Sequence, residues 1–450
     1  MRPTLSWSDL AGKQVGLYGL GREGRANLRK CLDLGLDPVL VDDTPPADAA
    51  SGVEGGVTRT VLATAAGGLE ALLACDVVVK TPGISRYTSP AVQRLDREGV
   101  VVVGGLGLWL READLARVLC VTGTKGKSTT AAVAGHLLTG LGYRCLVGGN
   151  IGASPYDPTY ASNAYDYWVV EVSSYQATDL ACSPPAVAVT SLHPDHLPWH
   201  RGEAETYYRD KLSLCSQPGA ELTIANGDSA LLRARRDLLG PRVEWVHAAD
   251  DPDAGWLAPL GLLGAHNRCN ALIARAGLRA LGVAEAADDT ALEAAAAGFR
   301  QLDSRLRPIG TVQGVTFVDD SLATNVLPTL AAVATFPDRP VALIVGGFSR
   351  GIDYAPLAVG LRARAEPTLV LTTPDNGTHV GAVLRATGAG PGVRVVDCDG
   401  LAEAVTLGFG WARPHGVVLL SPAAASFGRF ADYRARGDAF AEAMRACASS

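Results

Sequence analysis

The sequence predicts an α/β fold of three successive blocks with largely parallel sheets, and three observations carry that prediction. Short apolar runs recur along the whole chain, each ending in polar or glycine-bearing residues and followed by a helix-period segment, as in repeated strand–helix–strand units. Two of these junctions, "GLYGLGREG" and "CVTGTKGKS", are glycine-rich strand-to-helix turns. The 450 residues, 48% of them hydrophobic, supply material for about three cores of ordinary size. The pattern restarts near residues 111 and 299, which places the blocks at 1–110, 111–298 and 299–450.

The first block opens with "KQVGLYGLGREGRANLRKCLDLGLDPVLVDD", read as strand, glycine turn, helix and second strand. Gly19, Gly21 and Gly24 match G-x-G-x-x-G around Leu20, and Asp42 follows near the expected spacing. This Rossmann-like unit is compatible with a dinucleotide, but the same turn binds any phosphorylated ligand, and a better phosphate loop follows in the chain. "DVVVKTPGIS" brings Thr81, Pro82 and Gly83 to a second strand end facing the same crevice, where ligands of parallel sheets collect.

The second block starts with "CVTGTKGKSTTAAVAGHLL". Gly123 and Gly126 supply a tight turn around Thr124 and Lys125, and Lys127, Ser128 and Thr129 begin a helix. Helix N-terminal N–H groups, the helix dipole and a lysine together favour phosphate. Val121 stands where the usual loop has its first glycine, so the loop is a shortened variant. In "YWVVEVSSYQ", Glu171 ends an apolar strand and so delivers a carboxylate to the ligand edge, a Mg²⁺ ligand in a phosphate site. "SLHPDHLPWH" puts His193, Asp195, His196 and His200 close together. No cysteine lies near at zinc spacing, so His196 is expected at a second hard cation, with Asp195 orienting it. "VAEAADDTALEAAAAGF" reads as a helix closing this block.

The third block runs through "FRQLDSRLRPIGTVQGVTFVDDSLATN", "VALIVGGFSRG", "TLVLTT" and "GVVLLSPAAASFGRF". Composition narrows the function classes. Forty Lys+Arg against 46 Asp+Glu, without basic clusters, argues against a nucleic-acid or anionic-membrane binder. The nine scattered cysteines contain no C-x-x-C and read as reduced thiols of a cytoplasmic protein. The N-terminus has no signal-peptide pattern, and no apolar run is long enough for a membrane span.

The ordered motifs "GTKGKST", "EVSSYQ", "DHL", "RDKLSL", "GAHNRCN", "DSRL", "DDSLATN" and "LSPAAASF", covering nearly the whole chain, closely resemble the Mur ligases of peptidoglycan synthesis. Within them the best match is the branch that adds glutamate to UDP-N-acetylmuramoyl-L-alanine. The resemblance implies a UDP-binding Rossmann-like N-terminal domain, a central P-loop ATPase domain and a Rossmann-like C-terminal domain that receives the amino acid. It implies ATP, two Mg²⁺ and an acyl-phosphate intermediate. By the same resemblance, Lys127 and Ser128 contact phosphate and Mg²⁺, Glu171 ligates metal, His196 is catalytic or binds the second metal, and Lys211 is the carbamylated lysine. From the residues alone, Lys211 is an ordinary lysine on a helix surface. Asn150 and Ser173, with the glycine turn and Thr81–Gly83, fall to the UDP substrate. Asn267, Asn270, Arg305 and Asp320 match nucleotide positions, although "HNRCN" alone reads as a capped helix start.

Leu322 stands where the D-glutamate ligases carry a lysine, which favours L-glutamate, with Thr324, Arg350, Ser426 and Phe427 left to bind it. Retention of D-glutamate through Arg350 or Arg429 is the competing reading. An L-glutamate product calls for an epimerase acting downstream, and the enzyme is expected to work as a cytoplasmic monomer. A dehydrogenase reading leaves Lys127 and Glu171 unexplained. A folylpolyglutamate synthetase reading gives the first glycine-rich block no ligand. A non-catalytic scaffold on the same fold predicts loss of Lys127, Glu171, His196 or Lys211, and all four are present.

Overall fold

The computed structural model describes residues 3–45, 60–160 and 164–448. The chain divides into two compact units, Met1–Pro259 with Cys269–Phe299, and Leu260–Arg268 with Arg300–Ser450. The first unit holds two sheets and the second unit one.

The first sheet comprises β1 (Val15–Tyr18), β2 (Val39–Asp42), β3 (Val61–Ala63), β4 (Val77–Lys80) and β5 (Val101–Gly104), in the order β3-β2-β1-β4-β5. All pairs are parallel. Every residue of β1 and β4 is buried, as expected of continuous apolar runs in a sheet covered on both faces. The chain leaves β1 toward β2 on one side and later returns to β4 on the other. The C-terminal end of β1, with Gly19, is therefore a topological switch point.

The second sheet comprises β6 (Val118–Thr122), β7 (Cys145–Gly149), β8 (Tyr167–Glu171), β9 (Ala186–Val189), β10 (Leu222–Asn226) and β11 (Val243–Val246), in the order β11-β10-β9-β6-β8-β7. Here β6 lies between β8 and β9, so the second phosphate turn also opens from a switch point. The register pairs Val121 with Glu171, which sets that carboxylate at the level of the loop. One continuous core joins the two sheets of this unit: Leu17, Val79 and Val103 belong with Leu108, Trp109, Cys120, Val170 and Val187. A buried ion pair also links them, Lys80 Nζ to Asp179 at 2.7 Å, and Arg86 Nε reaches the other oxygen of Asp179 at 2.5 Å.

The second unit contains β12 (Arg307–Val312), β13 (Val315–Asp319), β14 (Val341–Gly346), β15 (Thr368–Thr373), β16 (Val393–Asp397) and β17 (Val417–Leu420), in the order β12-β13-β17-β14-β15-β16. Among the described residues the β12–β13 strand pair alone is antiparallel. Alternate residues of β14 enter different cores: Leu343 packs with Val318 and Leu357, whereas Ile344 packs with Phe317, Leu371 and Phe440.

The alanine-rich stretch departs from the single helix expected. It splits into a 3₁₀ turn at Ala284–Ala287 and a helix at Asp289–Ala296, because the Asp288 side chain accepts from Thr290 N–H and caps the second. All nine cysteines are free thiols, eight of them buried. Among the described residues no helix is long and apolar enough to cross a membrane.

Candidate active site

The phosphate loop is built by β6 and the helix Lys127–Gly140, whose apolar residues are buried on nearly every side and so hold its start rigidly at the sheet edge. Gly126 precedes it at φ +92, and a Cβ there would stand 2.6 Å from Asn270 Oδ1. Glycine is therefore required both by conformation and by space. Thr124 and Lys125 are tied to the loop after β9: Thr124 N–H donates to Ser191 O at 2.8 Å, and Lys125 N–H donates to Ser191 Oγ at 2.9 Å. Lys127 Nζ donates to Thr124 O at 3.2 Å. The N–H groups of a helix's first turn have no intrahelical acceptor, so Lys127, Ser128 and Thr129 begin a helix end of the kind that can hold an anion.

Ser128 Oγ donates to Glu171 Oε2 at 2.6 Å, and Asn150 Nδ2 donates to Glu171 Oε1 at 2.6 Å. The backbone fixes the same pair, with Asn150 N–H on Glu171 O. Among the described residues no three His, Cys, Asp or Glu side chains form a metal cage of their own. The hydroxyl of Ser128 and the carboxylate of Glu171 are hard oxygen donors side by side, a set that fits Mg²⁺ completed by phosphate oxygens and water.

Lys125 Nζ lies 3.3 Å from Asp195, whose Oδ1 accepts from His196 N–H at 3.0 Å. The His196 ring is half exposed, edge-on to Tyr175, with Nε2 3.8 Å from Asp195. Asp195 thus braces the His196 backbone and Lys125 more closely than the imidazole. Lys211, on the helix Ala204–Leu212, is 2% exposed and so is not the surface lysine its residue context indicates. Its Nζ donates to Gly123 O at 2.9 Å. Burial pushes its pKa well below the ordinary lysine range, and the charge of Lys127 acts in the same direction.

In the first sheet, Gly19 has φ +91 and a Cβ on Gly24 would collide with the Gly19 carbonyl, so glycine is required at these two positions, whereas a Cβ on Gly21 would meet open space. Asp42 Oδ2 accepts from Leu20 N–H at 2.7 Å, so its carboxylate braces the turn that includes Gly21. Thr81 N–H donates to Tyr18 O and Pro82 lies beyond it, while Gly83 O accepts from Trp199 Nε1 at 3.1 Å. Ser173 caps the short helix Ser174–Ala177 in a reciprocal box with Gln176. "SSYQ" already carried that S-x-x-Q signal. Arg22 and Glu23 are contacts that spacing did not reveal: Arg22 Nη2 donates to Asn150 O at 2.5 Å, and Gln176 Nε2 donates to Glu23 at 2.9 Å.

In the second unit, the candidate amino-acid residues sit at the C-terminal ends of three neighbouring strands, β13, β17 and β14. Leu322 N–H donates to Ser304 O, Thr324 follows on the same loop, and Ser426 is buried while Phe427 is half exposed. Phe348 N–H donates to Ala425 O at 2.8 Å, which ties two of the loops. The Arg350 guanidinium lies 5.3 Å from the centroid of Phe427. Asp320 is buried and accepts from Leu306 N–H at 3.1 Å and from Ser421 Oγ at 2.7 Å; Leu306 directly follows Arg305 in "DSRL". Burial pushes its carboxyl up to about 7. Asn267 Nδ2 donates to Leu263 O at 2.9 Å in the first turn of the helix Ala265–Ala280, and Asn270 lies one turn further on.

A phosphate loop with an adjacent Ser–Glu pair at the switch point of a parallel sheet defines the class, a nucleotide-dependent enzyme of the phosphate-loop type. The Mur ligase middle domain matches residues 121–254. The fold is similar to UDP-N-acetylmuramate-alanine ligase of Thermotoga maritima, with TM-score 0.54 and 16% identity over 96% of this chain and 99% of that one. A UDP-N-acetylmuramoyl-L-alanine--L-glutamate ligase of Micromonospora sp. is 41% identical over 97% of this chain and 98% of its own length. The enzyme of the same name from Salinispora tropica is 40% identical over the same shares. The chain belongs to the Mur ligase family, in the glutamate-ligase group of these relatives.

Proposed function

We propose that this chain is the ATP-dependent ligase that joins glutamate to UDP-N-acetylmuramoyl-L-alanine in cytoplasmic peptidoglycan precursor synthesis, with L-glutamate as the added amino acid. The observation that carries the reading is the Ser128–Glu171 pair at the mouth of the Lys127 loop, with Asn150 on the other carboxylate oxygen. A substrate carboxylate oxygen attacks the γ-phosphorus of ATP; that P–O bond forms as the bond to the β-phosphate oxygen breaks, and ADP leaves. The glutamate amine then attacks the acyl carbon, phosphate departs with the electron pair, and the amine loses its proton to give the amide. Lys127 neutralises charge developing on the transferred phosphoryl group. Mg²⁺, when bound, supplies further neutralisation, with Ser128 and Glu171 as ligands of one ion and His196 and Lys211 beside the other.

Lys211 fits this scheme as a carbamate. Its buried neutral amine adds to CO₂, the N–C bond forms, and the proton goes to solvent, so the side chain would carry the negative charge that a bound Mg²⁺ calls for. Leu322 supports L-glutamate, because it offers no charge to the amino acid's carboxylate. A lost charge-assisted hydrogen bond costs about 1.5–3 kcal/mol unless the substrate is held differently. The names of the two relatives point the same way. The enzyme then acts as a monomer upstream of an epimerase that inverts the new residue. The test is phosphate release by purified enzyme given ATP, the UDP-linked acceptor and each glutamate enantiomer. Strong preference for D-glutamate overturns the stereochemical reading alone, and no acceptor-dependent release overturns the ligase reading.

A further inference from the structure

Beneath the Lys211 helix lies a closed line of side chains that the reaction does not use. His200 is fully buried; its Nδ1 lies 2.7 Å from Asp210 Oδ2 and its Nε2 3.0 Å from Ser174 Oγ. The other oxygen of Asp210, Oδ1, accepts from Tyr87 OH at 2.7 Å. The order Ser, His, Asp is that of a hydrolytic triad, but Ser174 is 3% exposed, so no ester or amide reaches it. Its value is positional. Ser174 is three residues from Glu171, His200 four from His196, Asp210 one from Lys211, and Tyr87 four from Gly83. Each member of the line is therefore anchored in a different segment that delivers one candidate site residue.

We infer that the His200–Asp210 pair, held by Ser174 and Tyr87, is a positioning hub that fixes Lys211 for its carbamate and sets it against Glu171 and His196. The inference rests on the carbamate reading of Lys211. Asp210 has both oxygens occupied, by His200 and Tyr87, and Lys211 Nζ turns instead to Gly123 O at 2.9 Å and over the Tyr207 ring at 5.2 Å. Among the described residues Lys211 has no ion pair, although a carboxylate is its neighbour in sequence. The ring of His200 is in turn packed 4.6 Å from Trp199 and 5.2 Å from Tyr207, centroid to centroid. Trp199 closes the circuit, with its carbonyl accepting from Ser85 Oγ at 2.9 Å and its indole N–H on Gly83 O. With the hub broken, Asp210 is released toward the lysine and the helix loses its register against the phosphate loop.

The full-length enzyme tests this with His200→Gln, Asp210→Asn and Tyr87→Phe. Partners that orient metal-site ligands typically carry about 10- to 100-fold in activity or metal affinity. His200→Gln and Asp210→Asn are expected to lower kcat by that factor, with KM for ATP little changed. Two readouts do not depend on turnover: the carbamate resonance that wild-type enzyme gives with isotope-labelled bicarbonate should disappear, and Mn²⁺ binding followed by electron paramagnetic resonance should weaken by a similar factor. Thermal midpoints identify any variant that fails to fold. Should both fail, Tyr87→Phe, which removes one hydroxyl from the same carboxylate, decides by the same resonance. Persistence of the wild-type resonance and Mn²⁺ affinity in folded variants overturns the hub alone. A wild-type enzyme that forms the amide without any such resonance overturns the carbamate reading and the hub with it.

Discussion

Lys127 folds its ammonium back onto the Thr124 carbonyl, so the charge already stands over the loop it serves. Lys127→Ala is expected to cut acceptor-dependent phosphate release by about 100- to 1,000-fold, the cost of one transition-state donor, without moving the thermal midpoint. Turnover near wild type would remove the loop from the mechanism. Asp320 gives a prediction of a different kind. Burial raises its carboxyl to about 7, against roughly 4 in an unfolded chain. Between these values the folded state binds more protons than the unfolded one, so its contribution is full below about pH 4 and is lost as pH rises through about 7. Asp320→Asn, which cannot ionise, should flatten that part of the profile, and thermal midpoints of both proteins across this range check it. At this scale the sequence was informative about Lys127, Ser128 and Glu171, because a loop signature and a strand end each impose a position. Residue context alone put Lys211 on a helix surface, since helical periodicity gives no warning that a neighbouring loop covers a lysine; only the motif resemblance drew it toward the site.

The loop between β6 and its helix depends on a residue with no side chain. Gly126→Ala adds a methyl group against Asn270 and forces a left-handed φ on alanine. It should therefore weaken binding of a non-hydrolysable ATP analogue at least tenfold, at a cost of about 1–2 kcal/mol. Unchanged affinity in a calorimetric titration would contradict the close packing there. Most strands were legible because buried parallel strands read as unbroken apolar runs, as in "DVVVK" and "VALIVGG". The exception to the parallel pattern, the β12–β13 hairpin, turns on Gln313 and Gly314, both at positive φ. The Gln-Gly pair between the apolar runs of "IGTVQGVTF" is the signal that the parallel reading passed over, and its primed geometry favours antiparallel return.

Across the first unit, two sheets share one core and a buried ion pair. Lys80→Met leaves the Asp179 carboxylate with Arg86 alone and should destabilise the protein by about 3–5 kcal/mol. Lys80→Met with Asp179→Leu removes both buried charges and should recover most of that loss. Calorimetric unfolding of both variants checks it, and equal destabilisation by single and double variants would mean that Arg86 alone neutralises Asp179. No pattern in the sequence announced this pair, because its partners stand 99 residues apart and each is an ordinary charged residue in its own segment. The fold class and the phosphate loop follow from local rules, whereas the Arg22–Asn150 and Lys80–Asp179 contacts are set only when sheets meet.

The distribution of cysteines has a practical consequence. Cys31 and Cys75 lie in the first sheet's layer, Cys120, Cys182, Cys215 and Cys269 in or around the second, and Cys398 and Cys447 in the second unit, all of them buried. A thiol reagent reaches each group only when its surroundings open. The chain thus carries clocks of its own: the order in which these sulfurs become modified in native buffer, read by mass spectrometry, reports which layer breathes first, with no engineered probe.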